Sequence, residues 1–203
     1  MRRASKKDKN LVVDILMSAF KDVKKGNSLN YFIRDERNRE KRAEHLFNYL
    51  FDKSMITGEI YLSSNEKGCI LVDRSLNNQR SIFLFLKKLR TIYLSIGFKN
   101  IPRIIRRQKL LDSFHTEKRF IHPTAMAAHT SVCGQGTCVR MIIELLNFYD
   151  GEPITIYTET TTQENLNIYK KFGFRVIGES DALGFNLYFL ALQVNKKEQT
   201  QNS

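Results

Sequence analysis

Residues 133–138 read Cys-Gly-Gln-Gly-Thr-Cys and run straight into an amphipathic segment, which puts two glycines at the mouth of a helix. Glycine lets a backbone approach a ligand without a Cβ in the way. The first amides of a helix have no partner inside it. A glycine-bearing loop feeding a helix is therefore a plan for holding an anion, phosphate above all, on backbone N–H groups. Further along, Asn165 and Tyr169 lie one helical turn apart and share a face, and Gly173-Phe174 close the stretch. His122 and His129 flank a short run of small residues, and Glu59 stands in another apolar stretch. Each is a candidate base, and no spacing singles one out.

The elements that must position these groups are legible from periodicity. Thr137 to Tyr149 is a helix, with Val139, Ile142, Leu145, Leu146 and Tyr149 on one face. A strand follows at 154–159, then a helix through Asn165 and Tyr169, then strands at 174–178 and 184–193 about a turn at 180–183. The last strand is apolar on both faces, as an interior strand is. Upstream, 11–20 and 35–54 carry helical periods, separated by a break at 26–28 and a short apolar piece at 28–33 in which Tyr31 and Phe32 read as packing residues. A hairpin of strands 58–63 and 68–73 turns at 65–67. Ser81 to Ile96 repeats Ile82, Phe85, Leu86, Leu89, Ile92, Tyr93 and Ile96 at helix spacing, and Gly97 ends it. Asn100 and Pro102 open another helix. In 120–129, Pro123 removes a ladder donor, which leaves a strand at 124–128. Residues 1–9 are expected to fray and 195–203 to form a polar tail.

The length of 203 residues suits one substantial domain. Net charge is +12, and no acidic residue occurs between Arg74 and Leu111. Such a segment is either a solvated helix face or an attractor of anionic ligands. Nucleic-acid binding through it stays open, although Phe83, Phe85, Tyr93 and Phe98 fall in apolar helix runs and read as core. Three cysteines argue against a disulfide framework, and Cys133 with Cys138 matches no common zinc spacing, so free thiols and no metal are expected. No run is long and apolar enough to span a membrane and no signal-peptide core follows the basic start, which makes a cytoplasmic protein the expectation.

The ordered set from Cys133 to Phe174 resembles the GNAT family of acyl-CoA-dependent N-acetyltransferases. The family's pyrophosphate loop falls on Cys133, Gly136 and Cys138, with cysteines where the family has Gln or Arg and a small residue. Thr158-Glu159-Thr160, then Asn165, Tyr169 and Gly173-Phe174, look like its downstream signature. The resemblance implies an α/β (α+β) fold: a central mixed, mostly antiparallel sheet flanked by helices, in a single domain over 10–194. A two-helix basic insertion at 80–114, between the third and fourth core strands, covers one side of the acceptor pocket. It implies transfer of an acetyl group from acetyl-CoA to a primary amine of a small molecule or peptide, by direct attack in a ternary complex. Gly134, Gln135, Gly136 and Thr137, with Cys133 and Cys138, would hold the cofactor's pyrophosphate. Asn165 would bond the pantetheine arm, which runs along Met126, Ala127 and Ala128, with an oxyanion donor at the amide of Ala127 or Ala128. Tyr169 would be the acid that protonates the leaving thiolate. A relative that binds CoA without catalysis is the alternative, motivated by the two cysteines and the sparse strand at 120–129.

Overall fold

The computed structural model describes residues 1–21, 31, 33, 38–75, 82–97 and 100–194, the side chains of 82 and 83 excepted. The break at 26–28, Phe32, the helix start at 35–37, residues 76–81 and 98–99 of the basic segment and the tail at 195–203 lie outside them. In chain order the elements are β1 (Arg2–Arg3), α1 (Lys9–Phe20), α2 (Arg39–Thr57), β2 (Gly58–Leu62), β3 (Gly68–Arg74) and α3 (Ile82–Thr91), which runs on as a π turn (Ile92–Ile96). Then come α4 (Ile101–Phe114), β4 (Phe120–Ala128), α5 (Thr137–Phe148), β5 (Ile154–Thr160), α6 (Gln163–Lys171), β6 (Arg175–Ser180) and β7 (Leu187–Val194). The strands form one sheet in the order β1-β2-β3-β4-β5-β7-β6. Among the described residues only β4 and β5 pair in parallel. This is the mixed, mostly antiparallel sheet expected, with helices α3 and α4 inserted between β3 and β4.

Alternation along the strands divides the core into two layers. Ile60, Leu62, Cys69, Leu71 and Ala127 face α1 and α2, against Val12, Ile15, Leu16, Leu46, Phe47 and Phe51. Tyr61, Ile70, Val72, Ile121 and Ile156 face the other way, against Met141, Leu145 and Tyr149 of the α5 segment and Leu166 of α6. Gly68 lets α5 sit close, since a Cβ there would lie 2.7 Å from the Met141 sulfur.

Residues 1–9 do not fray. Arg2 and Arg3 pair with Leu62 and Tyr61, and the Ala4 N–H donates to the Ile60 carbonyl at 2.7 Å. Ser5 and Asp8 close a capping box, and Arg2 meets both Asp8 and Glu66. A two-residue strand is too short to carry a readable period, so its charges read as solvated when they are in fact paired.

Strand β4 starts at Phe120 rather than 124 and runs through Pro123. Ser75 and Phe120 bond each other across β3 and β4, so the alternation of an antiparallel ladder points residue 123 away from β3. The missing proline N–H therefore costs no ladder bond. A bulge at Thr124 follows, between the pairs Val72–Pro123 and Leu71–Ala125.

The basic segment departs from its expected face. Ile92 and Ile96 are buried, while Phe85, Leu86, Leu89 and Tyr93 are exposed. The π turn holds more residues per turn than an α-helix, so the 3.6-residue period does not carry through residues 92–96, while Phe85, Leu86 and Leu89 form an apolar face of α3 that is left exposed. Phe85 and Tyr93 are thus not core residues. Helix α4 docks on β7 through Leu111 and through Phe114, whose ring stacks on Phe189 at 4.1 Å. Phe114 occupies the space above Gly178, where a Cβ would lie 2.1 Å from the ring. Gly178→Ala should displace this ring, loosen α4 and cost about 1–3 kcal/mol by overpacking. Urea denaturation measures the loss.

Candidate functional site

Strands β4 and β5 pair only at Phe120–Thr155 and Ile121–Ile156 and then diverge. The fork opens a cavity of about 450 Å³. Pro123 to Met126 form one wall, and Thr158 to Thr161 with Asn165 and Tyr169 the other. Leu46 and Leu50 of α2, Ile92 of the π turn and Ile104 of α4 supply an apolar cover.

The open edge of β4 follows from its register. The His129 N–H donates to Lys67 at 2.7 Å, so Ala127 bonds toward β3, and the backbone groups of Met126 and Ala128 point away from it. Of the two amides considered as oxyanion donors, only that of Ala128 therefore faces the diverging side. The Ala127 side chain is buried against α1 and α2.

One charged cluster bridges the fork. His122 Nε2 lies 2.5 Å from Glu159 Oε2, and Arg107 of α4 pairs with the other oxygen of the same carboxylate. All three side chains are largely buried. Burial opposes ionisation of Glu159, but His122 and Arg107 outweigh it and lower its pKa to about 2. His115 packs at 5.1 Å from His122, and burial, helped by His122, lowers its pKa to about 4, so it is neutral at pH 7. Sequence reasoning listed His122 without preference and gave Glu159 and Arg107 no role in the site. Glu159 lay inside a motif already noted, but Arg107 reaches it from 52 residues away.

Tyr169 lines the cavity and meets Phe174 edge-on at 5.2 Å. The Gly173-Phe174 ending explains itself locally. Gly173 takes φ +86°, which turns the chain so that the Phe174 N–H donates to the Tyr169 carbonyl at 3.2 Å. Burial raises the phenol's pKa, and a hydrogen bond with Thr158 only partly opposes this, so the proton stays on at neutral pH. Asn165 is exposed on the same helix and lines the same cavity.

The glycine loop stands apart from that cavity. Gly134 and Gly136 take φ +74° and +71°, a region that favours glycine, and no atom lies within 4 Å of a Cβ built on Gly134. Arg140 makes the first bond of α5, to the Gly136 carbonyl at 3.0 Å, so the amides of Thr137, Cys138 and Val139 precede the helix's own ladder. Positive-φ glycines, open space and leading amides fit a pyrophosphate. Cys133 and Gln135 are exposed, Thr137 is buried and Cys138 is partly buried. Both cysteines are free thiols, and burial raises the pKa of Cys138.

The structure brings Met126, Asn165, Tyr169 and His122 to one cavity, but not the other two candidate bases. Glu59 lies on the opposite sheet face with Tyr61, tied to Arg3, Arg74 at 3.1 Å and Tyr149. His129 accepts from the Ser131 N–H at 3.1 Å and caps a turn. Among the described residues no cluster of three or more His, Cys, Asp or Glu is placed to hold a metal ion.

No protein-family model and no curated relative matches the chain. Solved structures do. It is similar to a Corynebacterium glutamicum protein described as histone acetyltransferase HPA2 and related acetyltransferase, at 18% identity and TM-score 0.64, over 98% of this chain and 97% of that one. Arylalkylamine N-acetyltransferase 2 from Aedes aegypti aligns at 16% identity and TM-score 0.62, over 96% and 98%. An N-acetyltransferase from Staphylococcus aureus aligns at 13% and 0.54, over 94% and 98%. The chain therefore has the GNAT fold.

The cluster has a consequence for acid stability. The folded pKa of Glu159 lies below the ordinary value of about 4.3, so its contribution is present above that pH and lost as pH falls toward about 2. Glu159→Gln also leaves Arg107 buried beside a neutral group, which should cost about 3–5 kcal/mol at pH 7. Urea unfolding at pH 7 and pH 3 should show the gap between wild type and variant narrowing at the lower pH.

Proposed function

We propose that this GNAT-fold chain transfers an acetyl group from acetyl-CoA to a primary amine, by direct attack within a ternary complex. The observation that carries the reading is the joint presence, in one cavity, of His122 held by Glu159 and of a protonated Tyr169, at the fork where β4 presents free backbone groups. Acetyl-CoA would supply an activated carbonyl and a thiolate leaving group. Gly134, Gly136 and the leading amides of Thr137 and Cys138 would hold its pyrophosphate at the start of α5. Asn165 and the edge of β4 at Met126 to Ala128 would align the pantetheine arm. Most of the rate then comes from holding two reactants in register.

Three groups act on protons and charge. His122 accepts the proton that the amine must lose, directly or through a water, and Glu159 orients the ring. The Ala128 N–H donates to the carbonyl oxygen as negative charge develops there. Tyr169 donates its phenolic proton to the departing sulfur. Thiol and N-acetyl product leave, and the proton taken at His122 balances the one given by Tyr169.

Isothermal calorimetry with acetyl-CoA, followed by thiol-release assays over a panel of amines, tests this. Tyr169→Phe should lower kcat by about a hundredfold or more while the Kd for acetyl-CoA stays within about threefold. Gly136→Val, which places a β-branched residue at φ +71°, should weaken binding at least about tenfold in a sample whose circular dichroism is unchanged. Absence of acetyl-CoA binding to folded wild-type protein would overturn the reading.

A further inference from the structure

Besides Tyr169, Tyr49 and the histidine, the cavity is lined by three basic side chains, Lys53, Lys88 and Arg107, against one carboxylate, Glu159. Two of these cations are already neutralised. Arg107 pairs with Glu159, and Lys53 with Asp73 just behind the wall. Lys88 makes no ion pair among the described residues, and it stands exposed on α3 where the cavity meets solvent. The cover it belongs to comes from the stretch between Arg74 and Leu111 that holds no acid at all. The cavity therefore carries a surplus of positive charge, centred on the rim.

That surplus bears on the acceptor. An amine in water is a cation, and a positively charged cavity repels it. The same field favours the neutral form that must attack, which helps chemistry but not capture. An acceptor that also carries an anion escapes this conflict, because its negative group is attracted to the rim while its amine goes inward as a neutral base. The walls between are apolar, with Leu46, Leu50, Ile92, Ile96 and Ile104, and suit a hydrocarbon or aromatic body. Resting on the transferase reading above, we propose that the acceptor is an amine with an apolar body and an anionic group, a carboxylate or a phosphate, and that Lys88 selects it by pairing with that group.

The test uses amines that share one skeleton: phenylethylamine, phenylalanine, 4-(2-aminoethyl)benzoate and O-phosphotyramine. Wild-type protein with acetyl-CoA should show kcat/KM about two- to fivefold higher for at least one anionic member than for phenylethylamine, the scale of one exposed ion pair. The preferred member separates a carboxylate near the amine, a carboxylate at the far end and a phosphate. Lys88→Glu should abolish or invert the preference, and Lys88→Arg should keep it. Equal or better use of phenylethylamine by the wild type, or a preference untouched by Lys88→Glu, would overturn the assignment. The same amines titrated calorimetrically in the presence of CoA separate it from the transferase reading. Tighter binding of anionic members with no acetyl transfer would sink the transferase and keep the charge selection. Transfer without selection would do the reverse.

Discussion

Two strands that run parallel for two residues and then part create a problem that the rest of the fold answers. Beyond Ile121 and Ile156, β4 keeps β3 on one side and β5 keeps β7, but the sides facing each other have no strand partner. Backbone N–H and C=O groups left buried without partners are costly. The opening must therefore stay accessible to water or to an extended ligand that completes the ladder. It is accordingly a cavity with a cover, and the cover is made of helices α2, α3 and α4, whose apolar residues limit how much water the opening holds. Pro123 fits the same constraint. At the first position past the fork, an amide would point into the gap, and proline has none to leave unpaired.

The cover also determines how charge is carried inside. An isolated carboxylate at the depth of Glu159 would take up a proton. Here α4 brings Arg107 to one oxygen and β4 brings His122 to the other, and the carboxylate stays ionised. The cluster thus ties the inserted helix to the sheet across the very gap that the strands leave. Its geometry also depends on the Phe114 stack over Gly178, which holds the far end of α4 against β6 and β7. A packing contact at one end of the helix and a buried ion pair along it are parts of one arrangement.

Local patterns were legible in the sequence and remote ones were not. The run from the glycine loop to Gly173-Phe174 could be read because each part is a short-range feature: positive-φ glycines, a 3.6-residue period, a turn that returns Phe174 to Tyr169. The mixed, mostly antiparallel sheet and the inserted helices were what the resemblance carried by those parts implied. The cavity's histidine–carboxylate pair did not, because His122 and Glu159, 37 residues apart, meet only when their two strands pair and then diverge. Glu59 misled for a related reason. On a strand the two faces differ by a single residue, and the face of Glu59 belongs to α5 and an arginine pair rather than to the cavity. Helical periodicity put Phe85, Leu86 and Leu89 on one face of α3, but a period shows only that a face is apolar and not that it is covered, and this one is exposed. The opening strand was missed because two residues carry no period at all.

The two groups proposed to handle protons sit on opposite sides of the fork, His122 on β4 and Tyr169 on α6, and Glu159 bears on both. Its charge is among the causes that raise the phenol's pKa, and it fixes the imidazole by a direct hydrogen bond. A phenol whose pKa is raised by burial is a donor at neutral pH. In the proposed transfer it would give up its proton as negative charge builds on the sulfur being expelled. An imidazole with a carboxylate behind it has a counter-charge in place for the proton it collects. In the proposed transfer one buried carboxylate would serve both ends, with Arg107 keeping it ionised. On the proposed reading the inserted helices would serve the chemistry as well as the pocket's shape, since α4 carries that arginine and α3 carries Lys88, which makes no ion pair among the described residues.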